Sequence, residues 1–231
     1  MNKIIIEMNG LPGSGKSYLS GYLYLSFIEY GYKTVLINEM MEELVNTKHS
    51  KRILNILRHL SVAEYLCGIK YFFDIRPWRI ERLKFIFLLW ETYASYYTFI
   101  KNSSADILIA DEGGIQRILS IIFPEIVPEQ FFDRAIRNLR LKNHIVIINM
   151  NISVEKALDR IINRKSLQGR IDRMSDAEKN NALIKQWFQL EKIREKIVIK
   201  EWFAVFKINS SCEKEELFIK LRKEINYKDG I

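Results

Sequence analysis

Eight consecutive residues, Gly10-Leu11-Pro12-Gly13-Ser14-Gly15-Lys16-Ser17, follow the pattern GxxxxGK[ST] without exception. The chemistry this spacing serves is the holding of phosphate. Glycine lets the backbone turn tightly, so that N–H groups can approach phosphate oxygens. A helix opening at Lys16 adds its partial positive charge at the same point. Lys16 would reach the β- and γ-phosphates of a nucleoside triphosphate, and Ser17 would hold Mg²⁺. Tyr18 stands directly beside them.

A second group of residues complements the first. Ile107 to Ala110 is an apolar run ending in Asp111-Glu112-Gly113-Gly114. A carboxylate at such a strand end can hold Mg²⁺ directly or through water, which makes Asp111 the partner expected of Ser17. The same four residues satisfy DxxG, but the NKxD pattern that would specify guanine is absent after the next strand, where Ile148-Asn149-Met150-Asn151 stands. Arg160 and Arg164 lie four residues apart on one helix face, and Arg170 and Arg173 follow in a polar loop. Such a cluster suits two-pronged contacts to transferring phosphate oxygens. Glu39 follows an apolar run, Val35 to Asn38, and a ligand in an α/β fold binds at the carboxyl edge of the strands. Asp74, Arg76 and Trp78 surround Pro77, while Gln116 and Arg117 lie just past the acidic strand end.

The elements that must position these residues read as five short strands alternating with helices. The strands are Lys3 to Met8, Lys33 to Asn38, Ile107 to Ala110, Ile145 to Asn149 and Phe203 to Ile208. Helical stretches run from Lys16 to Tyr30 with Gly31 as terminator, from Glu42 to Cys67 with a break near Lys48 to Ser50, and from Arg79 to Lys101. Others cover Glu129 to Leu141, Val154 to Arg164, a long stretch to Lys200, and Lys214 to Ile225. Pro124 and Pro128 bracket a loop. Alternation of this kind predicts a parallel sheet covered on both faces. The expectation is one α/β domain over residues 1–231, a three-layer α/β/α P-loop NTPase fold. Its five-stranded parallel sheet and glycine loop resemble those of P-loop kinases, which implies strand order 2-3-1-4-5 and an Arg-rich lid at about 165–178.

The extra Gly13 gives GxxGxGKS, and here the chain resembles the P-loop small-molecule kinases, nucleoside and nucleotide kinases among them. The resemblance is broad and points to no single member. It implies ATP-dependent transfer of the γ-phosphoryl group to a small-molecule acceptor. Asp111 resembles the strand-end acid of thymidylate-kinase-like and deoxynucleoside-kinase-like proteins. Those usually place Arg next, where this chain has Glu112. The segment from Arg160 resembles the start of an adenylate-kinase-type lid. That likeness implies that Arg160 stacks on the base, Arg164 contacts phosphate and Arg170 closes over the γ-phosphate. It favours ATP over GTP and makes Asn209, at the last strand, a base contact. It also implies that Glu39 or Glu112 serves the acceptor hydroxyl, in a pocket that Asp74, Arg76 and Gln116 help to form. Two other classes stay open: a nucleotide-hydrolysing switch acting on a protein partner, and a kinase of nucleic-acid ends.

Composition bounds these readings. The chain has 231 residues, 48% hydrophobic and 28% charged, the balance of a globular protein. A net charge of +8 suits an anionic substrate, but the basic residues form no long run, which argues against nucleic acid. Cys67 and Cys212 have no CxxC neighbour, and His49, His59 and His144 lack metal-ligand spacing. The longest apolar run, Phe85 to Trp90, is too short to cross a bilayer, and the N-terminus has no leader pattern. A cytoplasmic setting without membrane contact is the expectation. The helix from Phe85 to Ile100 is apolar on almost every face, more than one sheet face covers. A homodimer through this helix is therefore a further expectation.

Overall fold

A computed structural model describes residues 3–40, 49–125, 127–139, 145–164, 170–198, 204–209 and 214–228. In chain order the elements are β1 (Ile4–Asn9), α1 (Lys16–Glu29), β2 (Thr34–Leu36), α2 (His49–His59), α3 (Val62–Asp74) and α4 (Glu81–Asn102). They continue with β3 (Ile107–Ala110), α5 (Gly114–Ile122), α6 (Glu129–Leu139), β4 (Ile145–Asn151) and α7 (Val154–Asn163). A short 3₁₀ turn (Ile171–Arg173), α8 (Asp176–Val198), β5 (Ala204–Asn209) and α9 (Lys214–Lys228) complete the set. The five strands form one sheet of order β2-β3-β1-β4-β5, every pair parallel. The order is the one the sequence predicts, and it places β1 at the centre with the loop that follows it.

Alternation along the strands divides the core. Ile4, Ile6 and Met8 face α1 and α9, where Leu19, Leu23, Phe27, Leu217, Phe218 and Leu221 close an apolar layer. Ile5, Leu108 and Ile147 face the other side, onto α4, α5, α6 and α8. Helices α2 and α3 form an outer course on α4. That course explains the apolar character of α4: Ile86, Leu89, Tyr93, Ala94, Tyr96 and Phe99 are buried within the chain. The outer course in turn leaves several apolar residues exposed, among them Leu54, Leu57, Leu66 and Phe73.

Three boundaries differ from expectation for identifiable reasons. A break at Leu60-Ser61 separates α2 from α3 inside the stretch read as continuous to Cys67, and α2 itself opens at His49. Ser61 accepts from the Glu64 N–H and the Glu64 carboxylate accepts from the Ser61 N–H, a reciprocal cap that starts a new helix there. The part of the expected helix at 41–48 lies outside the described residues. Strand β2 ends at Leu36, and residues 37–40 are already helical. Helix α5 was not expected at all. Its apolar residues recur at Ile115, Ile118, Leu119 and Ile122, a helical spacing hidden behind two glycines.

Candidate functional site

The glycine loop joins the carboxyl end of β1 to α1, and its glycines are used as space. A Cβ on Gly10 would stand 2.8 Å from both the Met150 Cβ and the Ser14 Oγ. One on Gly13 would stand 2.8 Å from the carbonyl of Ala157, so α7 packs directly on the loop. Gly13 and Gly15 also take φ of 80° and 92°, conformations that side chains resist. Gly15 is the N-cap of α1 and supplies no side-chain cap, which leaves the first N–H groups of that helix for a ligand. The Ser14 Oγ is buried with no hydrogen-bond partner. Lys16 lies back across the loop, its Nζ donating to the carbonyls of Gly10 (2.8 Å) and Leu11 (2.9 Å). Burial pulls its ammonium down to about 8, with Glu112 and Asp111 opposing the drop and Arg164 and Arg194 adding to it.

Asp111 comes to this loop as expected of it. The Ser17 Oγ donates to its Oδ2 at 3.4 Å, and the Asn38 amide donates to its Oδ1 at 3.3 Å. Asn38 was not singled out in the sequence, because it was read as the last residue of a strand. It belongs to the helical turn after β2, one residue before Glu39, and both are exposed. Glu112 is exposed and ion-paired with Arg117 at 2.6 Å. Among the described residues, no three His, Cys, Asp or Glu gather as a metal cluster. Ser17 and Asp111 together fit Mg²⁺, which keeps most of its shell for water and phosphate.

The arginines divide. Arg160 reaches the loop and donates from Nη1 to the Gly13 carbonyl at 3.1 Å. Arg164 is ion-paired with Asp172, whose side chain is almost fully buried. The pair ties the end of α7 to the 3₁₀ turn and keeps the Arg164 charge within reach of Lys16. Arg170 lies elsewhere, against the rings of Phe85 and Phe123. Residues 165–169 of the expected lid lie outside the described residues. A fourth arginine, Arg194 on α8, was missed because it stands thirty residues beyond Arg164 in a helix that reads as ordinary. Its Nη2 donates to the Met150 carbonyl at 2.9 Å and its Nη1 to Asn151 at 3.1 Å, which fixes it at the carboxyl end of β4.

The remaining expected residues scatter. Asp74 is ion-paired with Arg134 across α3 and α6 at 2.8 Å, a packing contact rather than a pocket wall. Arg76 lies over the Trp78 ring at 5.2 Å, and both are exposed, so Trp78 is not the core residue its size suggests. Gln116 is buried in α5. Tyr18 is exposed, its hydroxyl accepting from Lys214 at 3.1 Å. Asn209 is exposed at the end of β5, in register with Asn151. Ser210-Ser211, which follow it, lie outside the described residues.

One residue beneath the site carries more than the sequence reading allowed. Glu7 sits in the middle of β1 and is fully buried. The Tyr96 hydroxyl donates to its carboxylate at 2.6 Å, and the N–H groups of Gly114 and Ile115 donate at 3.0 and 3.3 Å. Burial pushes the Glu7 carboxyl above its ordinary range, and these three bonds work against that rise. The N-terminus of α5 therefore rests on a carboxylate, a favourable end of the helix dipole. A Cβ on Gly113 would fall 2.3 Å from the Glu7 carboxyl carbon, so only glycine fits there. The turn that carries Asp111 and Glu112 is seated on Glu7. The available signal was a carboxylate inside an otherwise apolar strand, which is costly to bury unless it is bonded. Next along the same face, the Asn9 amide donates to the Asn149 side chain at 2.9 Å.

The parallel order, the glycine loop after β1 and the acid after β3 define a P-loop α/β fold of the kinase-like type. No family model matches the chain, and no curated protein matches it. Solved structures similar to it include deoxyadenosine kinase from M. mycoides with bound dATP, at 13% identity over 96% of this chain and 99% of that one, with a TM-score of 0.47. The same enzyme with dCMP and dCDP matches at 14% identity, 97% and 99% coverage, and a TM-score of 0.46. Shikimate kinase from Bacteroides thetaiotaomicron matches at 12% identity, 96% and 98% coverage, and a TM-score of 0.48. At such identities the likeness concerns overall architecture, and the reading of the site rests on its own geometry.

Proposed function

We propose that this chain is a kinase that moves the γ-phosphoryl group of ATP to a small-molecule acceptor. The observation that carries the reading is the contact of Ser17 with Asp111 beside the desolvated Lys16. A hydroxyl and a carboxylate converge where a cation would meet phosphates, and a lysine lies across the glycine loop at the start of α1. Ser17 and Asp111 would hold Mg²⁺, which would supply charge neutralisation for the phosphates.

Lys16 leaves its two carbonyl partners to meet the β- and γ-phosphates. Arg160, already on the loop, lies on the nucleotide side, with Tyr18 and Asn209 as further candidates for nucleotide contact. Arg164, held by Asp172, faces the charge that develops on the transferring oxygens. In the transfer, the bond from the bridging oxygen to the γ-phosphorus breaks and ADP leaves. An acceptor oxygen forms the new bond, and its proton passes to a carboxylate. Glu39, exposed beside Asn38, is the first candidate for that base, and Glu112 the second. The preference for ATP rests on the resemblance of the segment from Arg160 to an adenylate-kinase-type lid.

The reading is tested in two steps. Calorimetry should show Mg²⁺–ATP binding to the native chain and a large loss of it in Lys16→Ala. A screen of sugars, nucleosides, nucleotides and hydroxy acids should then reveal acceptor-stimulated ADP release. Hydrolysis that no acceptor stimulates and a protein partner does would replace the kinase by a switch.

A further inference from the structure

Away from the loop, Arg79, Glu81, Arg82, Phe123, Arg170 and Met174 line a half-open cavity of about 180 Å³. It lies between the start of α4, the end of α5 and the 3₁₀ turn. Three guanidiniums meet two carboxylates here. Arg82 is fully buried and satisfied: it donates to the carbonyls of Ile75, Pro77 and Ile121 and to Glu125. Arg79 shares that same Glu125, at 3.1 Å.

Arg170 is the unbalanced one. Its guanidinium carbon is 4.1 Å from the centre of the Phe85 ring and 5.0 Å from that of Phe123. It is half-buried and forms no hydrogen bond or ion pair among the described residues. The rings hold the group, but they accept none of its five N–H donors. Burial and the charges of Arg79 and Arg82 weaken its hold on its proton, with Glu81 opposing. A desolvated fork of donors, fixed in place and facing a cavity, matches a planar or tetrahedral oxyanion.

We propose that this cavity binds the anionic group, a carboxylate or a phosphate ester, of the small-molecule acceptor, with Arg170 as its two-pronged partner. The inference rests on the kinase reading for the word acceptor, and on the cavity alone for the anion. It also reassigns Arg170. Two residues along the chain, Asp172 holds Arg164, whose charge reaches Lys16. The short turn from Arg170 to Asp172 thus has one arginine at each end of its reach, Arg164 for the transferring phosphate and Arg170 for the far end of the acceptor. Neutral acceptors would leave Arg170 desolvated and unpaired, so the site selects against them.

The test has two arms on the full chain. In the first, inorganic phosphate is titrated into Lys16→Ala, where the loop is crippled as an anion site. Binding should be detected at millimolar concentration and fall by about 10- to 100-fold in Lys16→Ala/Arg170→Gln, the worth of a charge-assisted pair. Lys16→Ala/Arg170→Lys keeps the charge and the fold, and should retain part of it. Absence of phosphate binding, or binding indifferent to Arg170, overturns the proposal. In the second arm, matched neutral and anionic compounds are compared as acceptors: nucleosides against their monophosphates, polyols against the corresponding hydroxy acids. Anionic members should be used, the phosphate or the carboxylate series showing which group is held. Arg170→Gln should raise their KM by about 10- to 100-fold with kcat nearly unchanged. Preference for neutral acceptors overturns the proposal, as does a loss confined to kcat, which would return Arg170 to the γ-phosphate. If the native chain fails to bind Mg²⁺–ATP while phosphate still binds through Arg170, the kinase reading falls and the anion site stands.

Discussion

The two ends of the site are built differently. At the phosphate end, position comes from the backbone. Gly10 and Gly13 are pressed against Met150 and Ala157, α1 begins at the loop, and Lys16 rests on two carbonyls of its own loop. At the acceptor end, position comes from side chains of distant elements. Phe85 and Phe123 hold Arg170, and Glu125 balances Arg79 and Arg82. Beyond them the outer course of α2 and α3 exposes Leu54, Leu57 and Phe73 to solvent. The contrast teaches that a phosphate, the same in every nucleotide, is met by rigid main chain. The proposed acceptor, which would differ between enzymes, would be met by replaceable side chains.

The sharpest way to break this contrast is Lys16→Ala. Phosphoryl transfer should be abolished while thermal stability stays within about 0.5 kcal/mol, since the ammonium acts on phosphate charge and contributes little packing. Unchanged turnover in a folded variant would remove the loop from the chemistry.

Gly13→Ala comes next. The added methyl meets the Ala157 carbonyl and a φ of 80°, so stability should fall by about 1–3 kcal/mol from crowding and about 1–2 more from the backbone. Gly31→Ala is the control: φ is 88° but the space is open, so only the backbone part remains. Equal losses in chemical denaturation would deny the loop its close packing against α7.

Glu7→Gln tests the support under Asp111. An amide keeps the oxygen that accepts from Tyr96 and Gly114 but turns its NH₂ toward the Ile115 N–H, at a cost of about 1–3 kcal/mol. If Glu7 positions the β3 turn, the Mg²⁺ concentration needed for half-maximal nucleotide binding should rise while affinity for metal-free nucleotide holds. A stability loss with no change in Mg²⁺ dependence would make Glu7 purely structural.

A subtler check is the pH dependence of nucleotide binding. Lys16 titrates at about 8 in the free chain, and a bound phosphate raises that value. Affinity should therefore be flat below about 8 and decline above it, as the free chain loses the ammonium that the complex retains. Calorimetry in two buffers at pH 8.5 should register proton uptake on binding. A flat profile to pH 10 would show that Lys16 stays charged without ligand.

The smallest effect is expected at the outer course. Leu57→Ser should change stability by no more than about 0.5 kcal/mol, because Leu57 is 61% exposed. A larger loss that depends on protein concentration would identify this face as a contact between two copies of the chain, the homodimer expected of α4 displaced to its neighbours.

Much of the phosphate end was legible from residue order. A motif of eight neighbours needs only a strand before it and a helix after it, and both carry strong local patterns. Asp111 followed for the same reason, whereas the strand order was what the resemblance to P-loop kinases implied. The acceptor end was not legible. Asp74 was expected to face a ligand and instead pairs with Arg134, sixty residues away, because α3 and α6 pack together. Arg170 was assigned to the γ-phosphate by the resemblance of its segment to an adenylate-kinase-type lid, and only the rings of Phe85 and Phe123 reveal where it rests. Glu7, Asn38 and Arg194 escaped notice because their roles depend on partners from other elements.

By itself, then, residue order determined the glycine loop, the β1–α1 unit and the strand-end acid, since short-range sterics and periodicity act between neighbours in the chain. Tertiary structure alone decided that Arg164 pairs with Asp172 while Arg170 lies against Phe85 and Phe123. It also decided that a carboxylate in the central strand should hold the N-terminus of α5. Those outcomes depend on distances between groups far apart in sequence, where burial turns a small displacement of charge into a large difference in free energy.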